Sequence, residues 1–316
     1  MPHKKIALLD RHGETFTEGD NFKQYAMGFL KKGLEVFQLD PYTINFETGF
    51  GRVYRLNSNG KTLGKTKYTE EKDINSFDII MDMSDIVSLN FSKNLSKVET
   101  LHINDPLAMY SSADKRTYVK KYSEFIPKTI VSGNVNDLEK ALHETFGGTM
   151  IVKDPFGSCG NGIEKIDSTD PDYMKTLQKI TMNGKHSIVA QKFMALANKG
   201  SKRVAVIGKI NEPETYKIIH FYGRKPVDGE WKDNLSQGGS VVEFDDIRED
   251  EKALCLGVAR KSGLYIMGLD IMDDFDEEGN IVPRLVETNS VLALAKGRYP
   301  EKLNQVVDFI VGDVLK

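Results

Sequence analysis

The first 39 residues constrain the fold more than any other stretch. Lys5–Leu9 reads as a short apolar strand. Asp20 is placed to cap a helix that carries Phe22, Tyr25, Ala26, Phe29 and Leu30 on one face, the i, i+3, i+4, i+7 spacing of an amphipathic helix. Gly33 suits its C-terminal stop, and Leu34–Leu39 reads as a second strand. Strands joined through a helix lie parallel, because a tight hairpin connects only antiparallel neighbours. The expected class is therefore α/β, built on a parallel sheet. The turn after the first strand, Asp10-Arg11-His12-Gly13-Glu14, lacks the G-x-G-x-x-G that cradles a dinucleotide pyrophosphate, which disfavours an NAD-dependent oxidoreductase.

The chain has 316 residues, enough for two or three compact units. Residues 50–70 read as a hairpin excursion around Asn59-Gly60, and Phe77–Met83 and Leu101–Ile103 supply further strands. A boundary is expected near residues 105–115. Beyond it come a helix, a strand (Lys128–Val131), a helix (Asp137–Phe146), a strand–glycine loop–strand, a helix (Tyr173–Ile180) and a strand (Ser187–Gln191). Two hairpins follow, Arg203–Ile210 with Lys217–Tyr222 and Leu264–Met272 with Ile281–Asn289. A closing helix from Pro300 turns Leu303, Val307, Ile310, Val311 and Val314 inward. A net charge of −3, from 43 basic and 46 acidic residues, gives no basic excess for nucleic acid or an anionic membrane. The two cysteines, Cys159 and Cys255, form no metal-type pair and no disulfide framework. The N-terminal apolar run is too short for a secretory segment and no run suits a membrane span, so a cytoplasmic protein is expected.

The loop Phe156-Gly157-Ser158-Cys159-Gly160-Asn161-Gly162-Ile163 lies between two expected strands. A P-loop needs Lys and Ser/Thr after its last glycine and then a helix; here Ile163 and a strand follow. The protein-kinase spacing is absent too, as are HRD and DFG. What remains is a β-loop-β flap whose backbone N–H groups can close over phosphate oxygens, with Lys153 adding a point charge. A plain hairpin tip is the alternative reading.

Near the C-terminus, Tyr265-Ile266-Met267-Gly268-Leu269-Asp270-Ile271-Met272 precedes Val282-Pro283-Arg284-Leu285-Val286-Glu287-Thr288-Asn289. Residues two apart in a strand share a face, so Glu287 and Asn289 point the same way, and the acidic connection Asp273–Asn280 would set Asp270 beside Glu287. Two carboxylates and an amide oxygen are hard donors suited to Mg²⁺ shared with nucleotide phosphates. Asp273, Asp274, Asp276, Glu277 and Glu278 read as a solvated tip, and an EF-hand fails because its twelfth position is Leu285.

In this order the pieces resemble the ATP-grasp carboxylate–amine ligases, most closely the bacterial glutathione synthetase type, over nearly the whole chain. The resemblance implies an ATP-grasp fold with an N-terminal Rossmann-like domain, divided as 1–110, 111–190 and 191–316. It implies ATP and Mg²⁺ (with Mn²⁺ an alternative ion), and a small-molecule or peptide substrate whose carboxylate is joined to an amine acceptor through an acyl-phosphate. It makes Lys115 and Lys153 nucleotide lysines, with Gly157, Gly160 and Gly162 in the flap. Gln191-Lys192-Phe193-Met194 becomes the hinge strand at adenine, and Arg203 the residue at the γ-phosphate. Lys232 and Asn234, with Gly238 and Gly239, become the loop at the acceptor and phosphates; Asp270, Glu287 and Asn289 become the Mg²⁺ ligands. Self-association into a homo-oligomer is compatible with it.

Departures from the family pattern cluster on the acceptor side. Met81-Asp82-Met83-Ser84-Asp85-Ile86-Val87 holds no arginine where the family has a basic stretch. Ser290-Val291-Leu292-Ala293 replaces a Ser-Pro-containing loop, Ser240 an arginine, and Ser201 an acidic residue. These changes leave the ATP chemistry intact and weaken the expectation of γ-glutamylcysteine plus glycine. Arg11 and His12 are candidates for replacement substrate contacts. The rival from another class is an ATP-binding module without turnover, as in synapsin-like relatives; retention of Arg203 and all three proposed metal ligands favours an enzyme.

Overall fold

The computed structural model describes residues 4–10, 16, 20–66, 69–84, 86–157, 162–235, 238–244, 246–292 and 298–316. Three sheets organise them. The first holds β1 (Lys5–Leu9), β2 (Glu35–Leu39), β3 (Phe50–Ser58), β4 (Leu63–Lys65), β5 (Glu70–Asp73), β6 (Ile79–Asp82) and β7 (Leu101–Ile103). Its order is β4-β3-β2-β1-β6-β7, with β5 on β3. β2, β1, β6 and β7 run parallel, as the strand–helix–strand opening requires. Helix α1 (Asn21–Lys31) starts where Asp20 accepts the Phe22 N–H at 2.9 Å. Its stripe of Phe22, Tyr25, Ala26 and Phe29 is fully buried on the sheet, each large side chain contributing roughly 1.5–3 kcal/mol of burial. Asn59 sits at the turn of the β3–β4 hairpin, where its side chain accepts from Lys61 and Thr62.

Helices α2 (Leu89–Leu95), α3 (Pro106–Ala113) and α4 (Lys115–Lys121) lead to the second sheet. It comprises β8 (Thr129–Ser132), β9 (Thr149–Lys153), β10 (Ile163–Asp167) and β11 (Ile188–Lys192), in the antiparallel order β10-β9-β11-β8. Two helices, α5 (Val135–Glu144) and α6 (Tyr173–Ile180), cover it through Leu138, Leu142 and Leu177. α5 begins two residues before its expected start because Asn134 caps it. The glycine loop joins β9 to β10, with Ile163 opposite Lys153.

The third sheet holds β12 (Ser201–Lys209), β13 (Glu212–Lys225), β14 (Ser240–Val242), β15 (Ile266–Phe275) and β16 (Ile281–Asn289), ordered β14-β13-β12-β15-β16, with α7 (Glu249–Ser262) packed on it. The acidic β15–β16 connection is a solvated tip only in part. Asp276 accepts the N–H groups of Glu278 and Asn280, but Asp274 is buried and accepts the Ala195 N–H at 3.0 Å, and Asp273 is held by Arg248. A buried carboxylate needs such a donor, which here arrives from a segment distant in sequence. The closing helix α8 (Pro300–Phe309) ends in a π-helical turn over Ile310–Val314 and packs against α1, with Val306 and Phe309 joining the expected inward set. Gly28 permits this contact: a Cβ there would come within 2.9 Å of Val307 Cγ2.

Candidate functional site

The site lies where the three sheets meet. On the second sheet, Lys153 ends β9 and is buried; its Nζ donates to Gln191 Oε1 at 2.9 Å, and Gln191 Nε2 donates to Thr129 Oγ1 at 2.9 Å. Burial pulls Lys153 down to about 8, against the raising effect of Glu287, and Lys115 lowers it further. Lys115 opens α4, directly after the cap Asp114. Its Nζ donates to the Gly157 carbonyl and lies 3.8 Å from Glu287 Oε1. A small cavity runs between Lys115, Lys153, Tyr118, Gln191, Val286 and Glu287. Two polar atoms beside it, Tyr118 OH and Ser112 Oγ, are buried without a hydrogen-bond partner. Burying such groups unpaired is costly, so they fit a polar ligand.

Asp154 closes the base of the glycine loop: its N–H donates to Gly162 O at 2.9 Å and its carbonyl accepts from Gly157 N–H at 3.2 Å. Gly162 holds φ +69°, a conformation that favours glycine. At the end of β11, Phe193 meets Trp231 edge-on at 5.8 Å, beside the buried Met194, Ala197 and Met272. The amides of Lys192 and Phe193 are engaged by the carbonyls of Lys128 and Thr149. A ring docking here would therefore rest mainly on this apolar wall.

The third sheet supplies a charged cluster. Asp270 on β15 stands opposite Arg203 on β12 and Glu287 on β16; a bulge places Val286 between the Asp270–Glu287 and Ile271–Leu285 pairs. Arg203 grips Asp270 in a fork, Nε to Oδ1 at 2.6 Å and Nη2 to Oδ2 at 2.6 Å. Arg224, which the sequence reading did not single out, adds Nη2 to Oδ2 at 2.9 Å and also donates to Ser201 Oγ at 2.9 Å. Burial would push the Asp270 carboxyl up, but Arg203 and Arg224 together hold it below its ordinary range. Burial opposes the charge on Arg203, and Asp270 overrides that and raises it.

The loop after β13 joins these groups. Lys232 Nζ donates to the Ile163 carbonyl on β10 at 3.0 Å, and the Asn234 carbonyl accepts from Gly239 N–H at 3.2 Å. Gly238 has φ +94°, and a Cβ on Gly239 would come within 2.2 Å of Asp233 O. On the other side of Lys115 and Glu287 opens a cleft of ≈ 490 Å³, lined among others by Asp82, Ser84, Tyr110, Phe156, Asn289 and Ser290. Asn289 Nδ2 is buried there without a partner.

The structure thus brings Lys115, Lys153, Gln191, Glu287 and Asn289 to the cavity and the cleft beside it, sets Asp270, gripped by Arg203, opposite Glu287 on the third sheet, and ties Lys232 to the flap strand. Lys192 lies toward the hairpin tip, where Lys128 chiefly, and Lys192 after it, lower the Glu277 carboxyl. Arg11, His12, Cys159 and Gly160 lie outside the described residues. Among the described residues no three His, Cys, Asp or Glu side chains form a metal cage. The proposed ligands are instead two carboxylates and an amide: Asp270 Oδ1 takes one arginine hydrogen bond and keeps a lone pair, Glu287 is 35% exposed at its side chain, and the half-buried Asn289 has a buried, unpartnered Nδ2. This hard-oxygen set fits a Mg²⁺ shared with phosphate oxygens. No helix of the described residues is long and apolar enough to cross a membrane.

The prokaryotic glutathione synthetase ATP-grasp domain family matches residues 115–285. The chain is similar to the glutathione synthetase of Shewanella oneidensis, 29% identical over 287 residues, covering 87% of this chain and 88% of that one. It is also similar to the glutathione synthetase of Mesorhizobium japonicum, 23% identical over 295 residues, covering 88% and 90%. In three dimensions it resembles the VanG D-Ala:D-Ser ligase of Enterococcus faecalis with a TM-score of 0.67, at 14% identity and covering 98% and 99% of the two chains, a likeness of fold. The cavity flanked by a glycine loop, the wall at the end of β11 and the opposed Asp270 and Glu287 sit inside the matched segment or at its edge, and the chain belongs to the prokaryotic glutathione synthetase ATP-grasp family.

Proposed function

We propose that this chain is an ATP-dependent ligase that joins a carboxylate to an amine through an acyl-phosphate, releasing ADP and phosphate. The observation that carries the reading is the convergence of Lys115, Lys153, Arg203 and Arg224 with Asp270 and Glu287 beside the glycine loop, in a chain of this family. A free carboxylate is a poor acyl donor because oxide would have to leave; transfer of a phosphoryl group to it creates a leaving group. Such a transfer needs in-line positioning and charge neutralisation more than covalent help from protein.

In this reading Lys115 and Lys153 hold the nucleotide phosphates, and Phe193, Met194 and Trp231 receive the adenine ring. Arg203 and Arg224 steady the transferred group. Mg²⁺, held by Asp270, Glu287 and Asn289, supplies further neutralisation of phosphate charge. The flap, from Gly157 through Gly162, excludes water that would hydrolyse the activated acid. The N-terminal unit (1–110) faces the central (111–190) and C-terminal (191–316) units across the cleft, which receives a small-molecule or peptide carboxylate. Among the described lining residues Lys115 is the sole cation against two acids, Asp82 and Glu287, which argues against a strongly anionic peptide. A cytoplasmic enzyme, with ATP at hand, fits this chemistry.

The test is phosphate release from ATP and Mg²⁺ across a panel of amino acids and short peptides. Release that depends on an acid–amine pair, with the amide as product, is expected. Binding of the ATP analogue AMP-PNP without release from any pair would leave a nucleotide-binding module instead.

A further inference from the structure

Aminolysis of an acyl-phosphate poses a problem that phosphate-binding cations do not solve: the incoming amine arrives as an ammonium and must shed a proton before its lone pair is free. We propose that Asp233 is the residue that takes this proton. The inference rests on the ligase reading above.

Asp233 lies in the loop whose neighbours on either side touch the other parts of the site. Trp231 meets Phe193 on the apolar wall, and Lys232 donates to Ile163 on the flap strand. Between Lys232 and Asn234, Asp233 turns toward Arg224: its Oδ1 lies 3.6 Å from Arg224 Nη2, the same nitrogen that donates to Asp270 Oδ2 at 2.9 Å. Its carboxylate is thus one guanidinium nitrogen away from the Arg203–Asp270 pair. The residue is 6% exposed, and its Oδ2 has no hydrogen-bond partner at all. A buried carboxylate oxygen left without a donor is costly unless the protein uses it.

The contrast with Asp270 sharpens the point. Asp270 receives three charge-assisted hydrogen bonds, whereas the 3.6 Å approach of Arg224 to Asp233 is an ion pair without a hydrogen bond. Asp233 therefore keeps an acceptor oxygen for an N–H donor. Its backbone is fixed by the close approach of Gly239, where any side chain would collide with the Asp233 carbonyl.

The step balances as follows. The ammonium passes one proton to the Asp233 carboxylate. The freed nitrogen lone pair forms the C–N bond at the acyl carbon, giving a tetrahedral adduct. The C–O bond to phosphate breaks, and the departing phosphate takes a second proton from nitrogen, leaving amide and hydrogen phosphate. The Asp233 carboxyl then returns its proton to water.

The experiment compares two nucleophiles in the presence of ATP, Mg²⁺ and the acid that gives the greatest phosphate release in the panel. One is the paired amine; the other is hydroxylamine, which is mostly uncharged at neutral pH and needs no base to free its lone pair. Asp233→Asn should lower amide formation by about 10²- to 10⁴-fold, the usual share of a general base, while hydroxamate formation stays near the wild-type rate. Hydroxamate formation also shows that the variant folds and activates the acid. Asp233→Glu should recover part of the amide rate. A parallel loss of amide and hydroxamate would mean that Asp233 only steadies Arg224, and an unchanged amide rate would mean that it does nothing for the amine; either overturns the proposal. A wild-type protein that binds AMP-PNP but makes neither product would sink the ligase reading itself, and the wild-type arm reveals that separately.

Discussion

Asp270 is the residue whose removal the structure prices most clearly. It is 3% exposed and holds the guanidiniums of the half-buried Arg203 and the buried Arg224, accepting from Arg203 twice and from Arg224 once. Asp270→Asn keeps the shape but removes the charge and turns an amide N–H₂ toward an arginine. Breaking a buried ion pair from one side costs about 3–5 kcal/mol, because the partner charge stays behind. The amide oxygen can still accept, so about 3 kcal/mol is expected, a loss in Tm of about 5 °C for a chain of this size. Glu287→Gln is the control: its side chain is 35% exposed and its nearest cation, Lys115, is 3.8 Å away, so it should cost under about 1 kcal/mol. Both variants should lose Mg²⁺-dependent phosphate release. The assay is thermal unfolding of the ligand-free proteins by circular dichroism, beside turnover at saturating ATP. Equal Tm values for the two variants would refute the view that Asp270 is the counter-ion of both arginines, and near-normal turnover in either would remove that residue from the metal site.

Three further predictions follow from the same geometry. Lys153 is held at about 8 in the folded protein against 10.5 unfolded, so the unfolded chain binds more protons between those values and this group makes stability rise with pH across that window. Nucleotide phosphates should restore its proton, so AMP-PNP binding above pH 8 should take up a proton, seen as a binding heat that changes with the buffer's ionisation enthalpy; Lys153→Met should abolish the uptake, and buffer-independent heats would refute it. Arg203→Ala should lower turnover far more than AMP-PNP affinity, and equal losses would mean that it serves ground-state binding. Gly239→Ala should depress turnover through the loop, since its Cβ would stand 2.2 Å from Asp233 O, while leaving AMP-PNP affinity near wild type; unchanged turnover would show that the loop tolerates displacement.

Local periodicity carried much of the fold. The strand–helix–strand opening, the glycine loop after Lys153 and the pairing of Asp270 with Glu287 each follow from spacing within one hairpin or one crossover, and the structure places them so. What sequence could not supply is register across irregular strands and partners distant along the chain. Arg224 joins Arg203 on Asp270, but β12 and β13 slip register between Ala205 and Val206 and again between Ile207 and Lys209, so counting alternate residues back from the turn loses the face. The signal that would have found it is Ser201, its cross-strand partner, standing two residues before Arg203. Asp274 looked solvated because its neighbours are acidic, yet its donor is the amide of Ala195. Lys302, which the sequence reading did not single out, is fully buried, and that burial pulls it down to about 8 beside Tyr222.

The balance of charge explains why such a site can fold before its ligand arrives. Lys115, Lys153, Arg203 and Arg224 face Asp233, Asp270 and Glu287. A site of cations alone would attract a triphosphate more strongly, but each buried cation without a partner costs several kcal/mol. The carboxylates offset that cost, and Lys153 reduces it further by giving up its proton more readily than a lysine in water. Bringing in phosphate then changes the partners rather than creating charge from nothing: lysines that donate to the Gly157 carbonyl and to Gln191 can turn to phosphate oxygens. Lys115 holds the Gly157 carbonyl before the glycine loop and Lys232 the Ile163 carbonyl after it, so turning Lys115 to phosphate would free the first tether and leave the second.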